Sequence, residues 1–353
     1  MSDMKQRLAY LDNIKAISII LVVFCHYTLL SNNTVIGNIF MTMAWGAVPC
    51  FMMVSGGLMN TKSVFSWKKH LRNIISTYVV ICIWRIIYIV IHILINGFIY
   101  SYKDIFKCVF FFDNIDGIDL GVFWYMIAYL MIQIIFPVTW TLFHSDNIKA
   151  YLFILVVSFL QGIFIPSVCI GYRLFTGNDY LDSLLNMTGN VLPFSEYSNM
   201  LFYFVLGGIL FRYRQTVKEK LSLAKSIIIF IMGLVALVCE KFYATKSWGW
   251  NNNYINDGYA RITTCLIAVG IFLIIDQLSG EKENFIGKTV GSSTLGIYYM
   301  HFIILIVSNV YLYNLIPGRS FLMNCIKTII VVFSTVIVTL ILKKIPVIRI
   351  LVM

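Results

Sequence analysis

The chain has 353 residues, 59% of them hydrophobic and only 12% charged, with a mean hydropathy of +0.84 and a net charge of +11. An average soluble domain carries about 25% charged residues, so this composition excludes a soluble fold and points to a membrane protein. A nucleic-acid partner is not needed to explain the basic excess if the cations gather on cytoplasmic connections.

A spanning helix needs about 20 mostly apolar residues. Ten such runs follow one another, near residues 14–30, 38–59, 74–95, 122–143, 151–170, 197–213, 224–242, 259–276, 293–316 and 320–342. No Pro-, Gly- or Ser-rich linker and no internal repeat interrupts them. The expected fold is therefore all-α, a polytopic membrane helix bundle of about ten transmembrane helices forming one domain over residues 1–353. No small-residue cleavage site follows the first run, so it reads as a retained span and not a secretory signal. With the N-terminus inside, most of the 27 Lys and Arg residues fall on inner connections. The positive-inside rule then places both termini in the cytoplasm.

In the first span, "LDNIKAISIILVVFCHYTLL", Lys15 and His26 bracket an apolar stretch. Eleven residues of α-helix turn about 1100° and rise about 16 Å, so the two share a face to within roughly 20°. Ionisable groups at such depth usually face a bundle interior or a wet cavity. Two readings of His26 stand: a packed, hydrogen-bonded helix contact, or a desolvated neutral imidazole able to act as a base. No Asp or Glu lies deep in a span to orient it, and Asp12 is placed to pair with Lys15.

The second run ends in Ser55 and Gly56, small residues that suit close helix packing. Lys68, Lys69 and Arg72 follow on an inner connection, and Arg212, Arg214, Lys218 and Lys220 on another. Either group could grip phosphates through charge-assisted bonds, and either fits the ordinary inside bias. Arg85 lies about 16 Å into the third run and His301 about 12 Å into the ninth by helical rise, which suggests a polar cavity shared with His26. His70, His92 and His144 read as ordinary. Trp124 and Tyr125 open the fourth run, as an interfacial belt or a sugar-stacking surface. The outer connections 96–121, 171–196 and 243–258 are long, and the last combines aromatics with amides. Asp113, Asp116 and Asp119 lack the glycine and glutamate of a calcium loop. Seven of the eight cysteines lie in or beside spans and none forms a CxxC pair, so no metal site is assigned.

The segment "YLDNIKAISIILVVFCH" resembles the first-helix signature of the acyltransferase-3 family of integral-membrane O-acyltransferases, with Lys15 and His26 at its basic and histidine positions. "VPCFMMVSGGLM", "FSWKKHLRNIISTY", "FWYMIAYLMIQIIFP" and "STLGIYYMHFIIL" are similar to later family motifs in the same order. The resemblance implies a multi-pass enzyme of the bacterial cytoplasmic membrane. It would move an acyl group, usually acetyl from acetyl-CoA, to a hydroxyl of a cell-envelope glycan or lipid-linked sugar, with no permanently bound cofactor. It further implies that His26 is the base, that Lys15 fixes it or the donor, and that Lys69 and Arg72 bind the donor. Ser55 and Gly56 would leave room for the pantetheine arm. Lys69 departs from the family's arginine and loses its planar grip on phosphate. Any extracytoplasmic partner protein would be a separate chain. Two other readings are carried: a transporter or flippase with Arg85, His26 and His301 along its path, and a catalytically inert assembly subunit.

Overall fold

The computed structural model describes residues 8–28, 35–60, 62–97, 99–118, 120–145, 147–191, 197–248, 258–279, 284–311 and 320–352, and among them there is no strand. The helices are α1 (Ala9–Thr28), α2 (Val35–Ala44), α3 (Ala47–Asn60), α4 (Trp67–Asn96), α5 (Tyr102–Phe111), α6 (Trp124–His144), α7 (Lys149–Phe159), α8 (Ile165–Thr176), α9 (Asp182–Val191), α10 (Ser198–Arg212), α11 (Arg214–Lys220), α12 (Leu223–Trp248), α13 (Ile262–Leu278), α14 (Phe285–Thr289), α15 (Thr294–Tyr311) and α16 (Phe321–Lys343). Eight segments are long and apolar enough to cross a membrane, and Ser198–Arg212 and Ile262–Leu278 are shorter apolar helices. These correspond one for one with the ten runs read from sequence, and the chain is an all-α polytopic membrane protein. On α12, Ile227, Ile228, Ile231, Met232 and Val235 are all well exposed. Such a contiguous apolar stripe suits lipid and would be a liability in water.

Helix boundaries depart from the hydropathy runs where polar chemistry extends a helix. α1 starts at Ala9 because Asp12 and Lys15 form an ion pair at 2.5 Å one turn apart. α4 starts at Trp67 because the Ser66 side chain caps it, accepting from the Lys69 N–H. The connection 96–121 carries a helix of its own, α5, capped by Ser101. Residues 249–257 of the aromatic and amide-rich connection, and Asp119, lie outside the described residues.

The chain forms two compact units. The first comprises residues 1–63, 138–292 and 319–328. Within it α1 packs on α3, α13 and α14, α3 on α10, and α12 on α13. The α3–α10 crossing is close because both helices contribute glycine. A Cβ on Gly56 would lie 1.8 Å from the Phe204 carbonyl oxygen, and one on Gly207 would lie 2.0 Å from that of Met53.

Between α7 and α8 the helix widens into a single π-turn, Leu160–Phe164, closed by the Ile165 N–H bonding to the Leu160 carbonyl. Pro166 explains it. In a regular α-helix its ring would strike the carbonyl four residues back and its missing N–H would leave that oxygen bare, and the extra residue in the turn relieves the clash.

The second unit comprises residues 64–137, 293–318 and 329–353. Its core gathers Trp84, Tyr88, Phe123 and Tyr299. Trp84 and Tyr299 stack with centroids 5.1 Å apart, and the Tyr88 hydroxyl donates to the Tyr299 carbonyl at 2.9 Å. The Trp84 indole N–H donates to the Leu351 carbonyl at 3.0 Å, which ties the C-terminal turn to α4.

Candidate functional site

α1 is unbroken from Ala9 to Thr28, so Lys15 and His26 share its face with the register the sequence implies. Two tertiary contacts fix the rotation of this helix, and an ion pair internal to it braces its first turns. The Asn13 amide donates to Ser279 Oγ at 2.9 Å, the Arg214 guanidinium lies 3.9 Å over the Tyr10 ring, and Lys15 holds the buried Asp12 carboxylate. The pinned first turns carry Lys15, and His26 is half-buried in the last turn.

Ser55 is half-buried beside this helix's partner α3, while Gly56 faces the α10 backbone at the close crossing. The geometry gives Gly56 a packing role whatever else it does.

The two candidate basic groups differ in how their charge is already used. Arg214 Nη2 and Lys218 Nζ both reach Asp276 Oδ1, at 2.7 and 3.5 Å, and the carboxylate is only 3% exposed. Arg212 donates to the Phe143 carbonyl at 2.6 Å and lies over the Phe143 ring. These three cations are committed to the fold. Lys68, Lys69 and Arg72 are exposed, sit in the first two turns of α4, and make no ion pair among the described residues. No acidic residue stands in that first turn. The helix dipole already places partial positive charge there, so three cations at this end repel it and one another. A bound polyanion would relieve that strain.

A histidine that reads as ordinary in the sequence holds this basic turn in place. His70, on the opposite face of the same turn, is buried and donates through Nε2 to the Gln133 carbonyl of α6 at 2.9 Å. Pro137 stands four residues after Gln133 inside α6. It has no N–H to give that carbonyl, and the imidazole supplies the missing donor. The ring packs between Phe65 and Phe136, with centroids 5.2 and 5.6 Å away, and Gln133 Nε2 donates to Thr77 Oγ1 at 3.1 Å. The sequence signal was the proline in a helix, four residues beyond an otherwise unremarkable glutamine.

Arg85 is 2% exposed. Its Nε donates to the Cys108 carbonyl and its Nη2 to the Asp113 carbonyl, both at 2.7 Å, with Phe112 and Phe123 on its faces. It therefore satisfies carbonyls at the end of α5, a task invisible before that helix was known. His301 is fully buried, and its Nδ1 faces the Tyr298 and Ile297 carbonyls at 2.6 and 3.1 Å. Carbonyl oxygens only accept, so Nδ1 carries a proton. Trp124 and Tyr125 are half-buried and meet edge to face, with Tyr125 also against Tyr298 at 5.6 Å. Lys15, His26, Ser55 and Gly56 belong to the first unit, and Lys69, Arg72, Arg85, Trp124, Tyr125 and His301 to the second.

The acyltransferase domain of the acyltransferase-3 family matches residues 8–344. The chain belongs to that family. The match takes in both units and every candidate site residue named above, so this membrane acyltransferase uses nearly its whole length for the family domain. The same comparisons find no match among curated proteins or solved structures.

Proposed function

We propose that the protein is an O-acyltransferase of the bacterial cytoplasmic membrane, with both termini in the cytoplasm, which moves an acetyl group from acetyl-CoA to a hydroxyl of a cell-envelope carbohydrate. In the reaction the thioester C–S bond breaks and a C–O ester bond forms. His26 takes the proton of the acceptor hydroxyl, and the departing CoA thiolate is finally protonated, so no oxidant or further reactant is needed. Lys15 lies on the same helix face and orients the site from its cytoplasmic end. Lys69 and Arg72 hold the CoA phosphates. Both units act as one domain, and a separate extracytoplasmic protein can complete delivery to the glycan.

The observation that carries this reading is the family match over residues 8–344 together with α1, whose pinned first turns place Lys15 and His26 on one face. The cations at the start of α4, in no ion pair among the described residues, support the donor assignment. The test is release of free CoA from acetyl-CoA by the purified protein. Release that requires an envelope-glycan extract supports acyl transfer. Solute flux into liposomes with no CoA release would select the transporter reading instead.

A further inference from the structure

The π-turn carries a side chain that the fold leaves unused. Gln161 is 5% exposed, and neither its Oε1 nor its Nε2 has a hydrogen-bond partner among the described residues. A buried amide with neither atom bonded is costly in any protein, and more so where no water is at hand. π-turns are uncommon and are often found at functional sites. Here the widened turn buries three consecutive residues, Gln161, Gly162 and Ile163.

The surroundings say where this amide lies. It sits roughly 18 Å along the helix that starts at Lys149, near mid-membrane depth. Two short helices begin beside this segment, one at the π-turn and one a turn beyond it. A Cβ on Gly162 would lie 2.3 Å from the Asn199 nitrogen, so only glycine lets the start of α10 come this close. The Ile262 N–H at the start of α13 donates to Ser167 Oγ, one turn beyond the π-turn, at 2.9 Å. α10 has 15 residues and α13 has 17, about 22 and 26 Å, both short of a bilayer's roughly 30 Å hydrocarbon core. The short turn Gly258–Ala260, which leads into α13, packs on the π-turn. The Tyr259 ring packs against Trp45 with centroids 5.3 Å apart, and the Tyr203 hydroxyl of α10 donates to the Tyr259 carbonyl at 3.0 Å. The unbonded amide and the histidine of α1 belong to the same compact unit.

We infer that Gln161 binds the hydroxyl-bearing acceptor, its carbonyl oxygen accepting from one sugar hydroxyl and its amide N–H groups donating to another. The inference rests on the acyltransferase reading. The acceptor is favoured over the donor because α10 and α13 start on the outer side in the proposed topology, whereas CoA enters from the cytoplasm. The amide's cost to the apo protein is then the counterpart of its use when sugar is bound.

The experiment compares the full-length protein with Gln161→Met, which keeps length and removes both polar atoms, in a polyoxyethylene detergent free of sugar headgroups. Removing an unbonded buried amide should raise Tm by roughly 2–4 °C. The glycan extract needed for half-maximal rate should rise about tenfold or more, as for loss of hydrogen bonds to substrate. The acetyl-CoA KM should stay unchanged. An unchanged extract requirement overturns the inference, and so does a rise confined to the acetyl-CoA KM. Should the wild-type protein transfer nothing, the acyltransferase reading fails on its own, and thermal shift still decides the binding claim. Extract that stabilises wild type but not Gln161→Met supports it, and equal effects on both overturn it.

Discussion

Replacing His70 by Phe keeps an aromatic ring between Phe65 and Phe136 but removes the donor that reaches the Gln133 carbonyl at 2.9 Å. Because Pro137 cannot supply an N–H, the carbonyl is left buried and bare. Such a group costs about 1–3 kcal/mol, so His70→Phe should destabilise by about 2 kcal/mol, roughly thirtyfold in the folding equilibrium. Pro137→Ala restores an N–H to the same carbonyl. In that background His70→Phe should cost less than about 0.5 kcal/mol, a coupling of about 1.5 kcal/mol between the two positions. The assay is reversible unfolding in mixed micelles of a mild detergent and dodecyl sulfate, followed by tryptophan fluorescence, for all four members of the cycle. Equal costs of His70→Phe in both backgrounds, within about 0.3 kcal/mol, would refute the idea that imidazole replaces the proline's missing donor.

Lys69→Ala and Arg72→Ala should each raise the acyl-CoA KM, by about tenfold for loss of one charge-assisted phosphate contact. The wild-type KM should climb steeply with added salt and the double variant's should not; a raised acceptor requirement with the acyl-CoA KM untouched would contradict the donor assignment. Arg85→Met should lower stability by about 2–3 kcal/mol in the same unfolding assay, since the buried Cys108 carbonyl and the partly buried Asp113 carbonyl lose a charged donor. A stable but inactive Arg85→Met would instead place the guanidinium in a substrate cavity.

Much of the architecture was legible because lipid imposes a simple rule. Each span must be apolar for about 20 residues, and hydropathy alone separates ten such runs. Less visible were features set by single hydrogen bonds. α5 lies in a connection of mixed character, and only its Ser101 cap and the guanidinium of Arg85 beneath its last carbonyls reveal it. The π-turn follows from Pro166, whose effect on the preceding turn is not a matter of hydropathy. The site divides in the same way. The spacing of Lys15 and His26 survives because helical phase is fixed over eleven residues. The choice between the two basic groups needed Asp276, 58 positions or more from the cations it neutralises and brought to them only by folding. Gln161 has no local signature at all, since an unbonded amide is defined by the partners absent around it.

The central claim is that His26 is the base of an acyl transfer. The most direct measurement is glycan-dependent release of CoA from acetyl-CoA by purified wild-type protein and by His26→Ala, with Tm recorded for both. The account predicts release by wild type alone, lowered at least about a hundredfold in the variant as for loss of a general base, at nearly equal Tm. Equal release from both proteins, or a variant whose activity falls only in step with a large drop in Tm, would make His26 a packing residue and contradict the account.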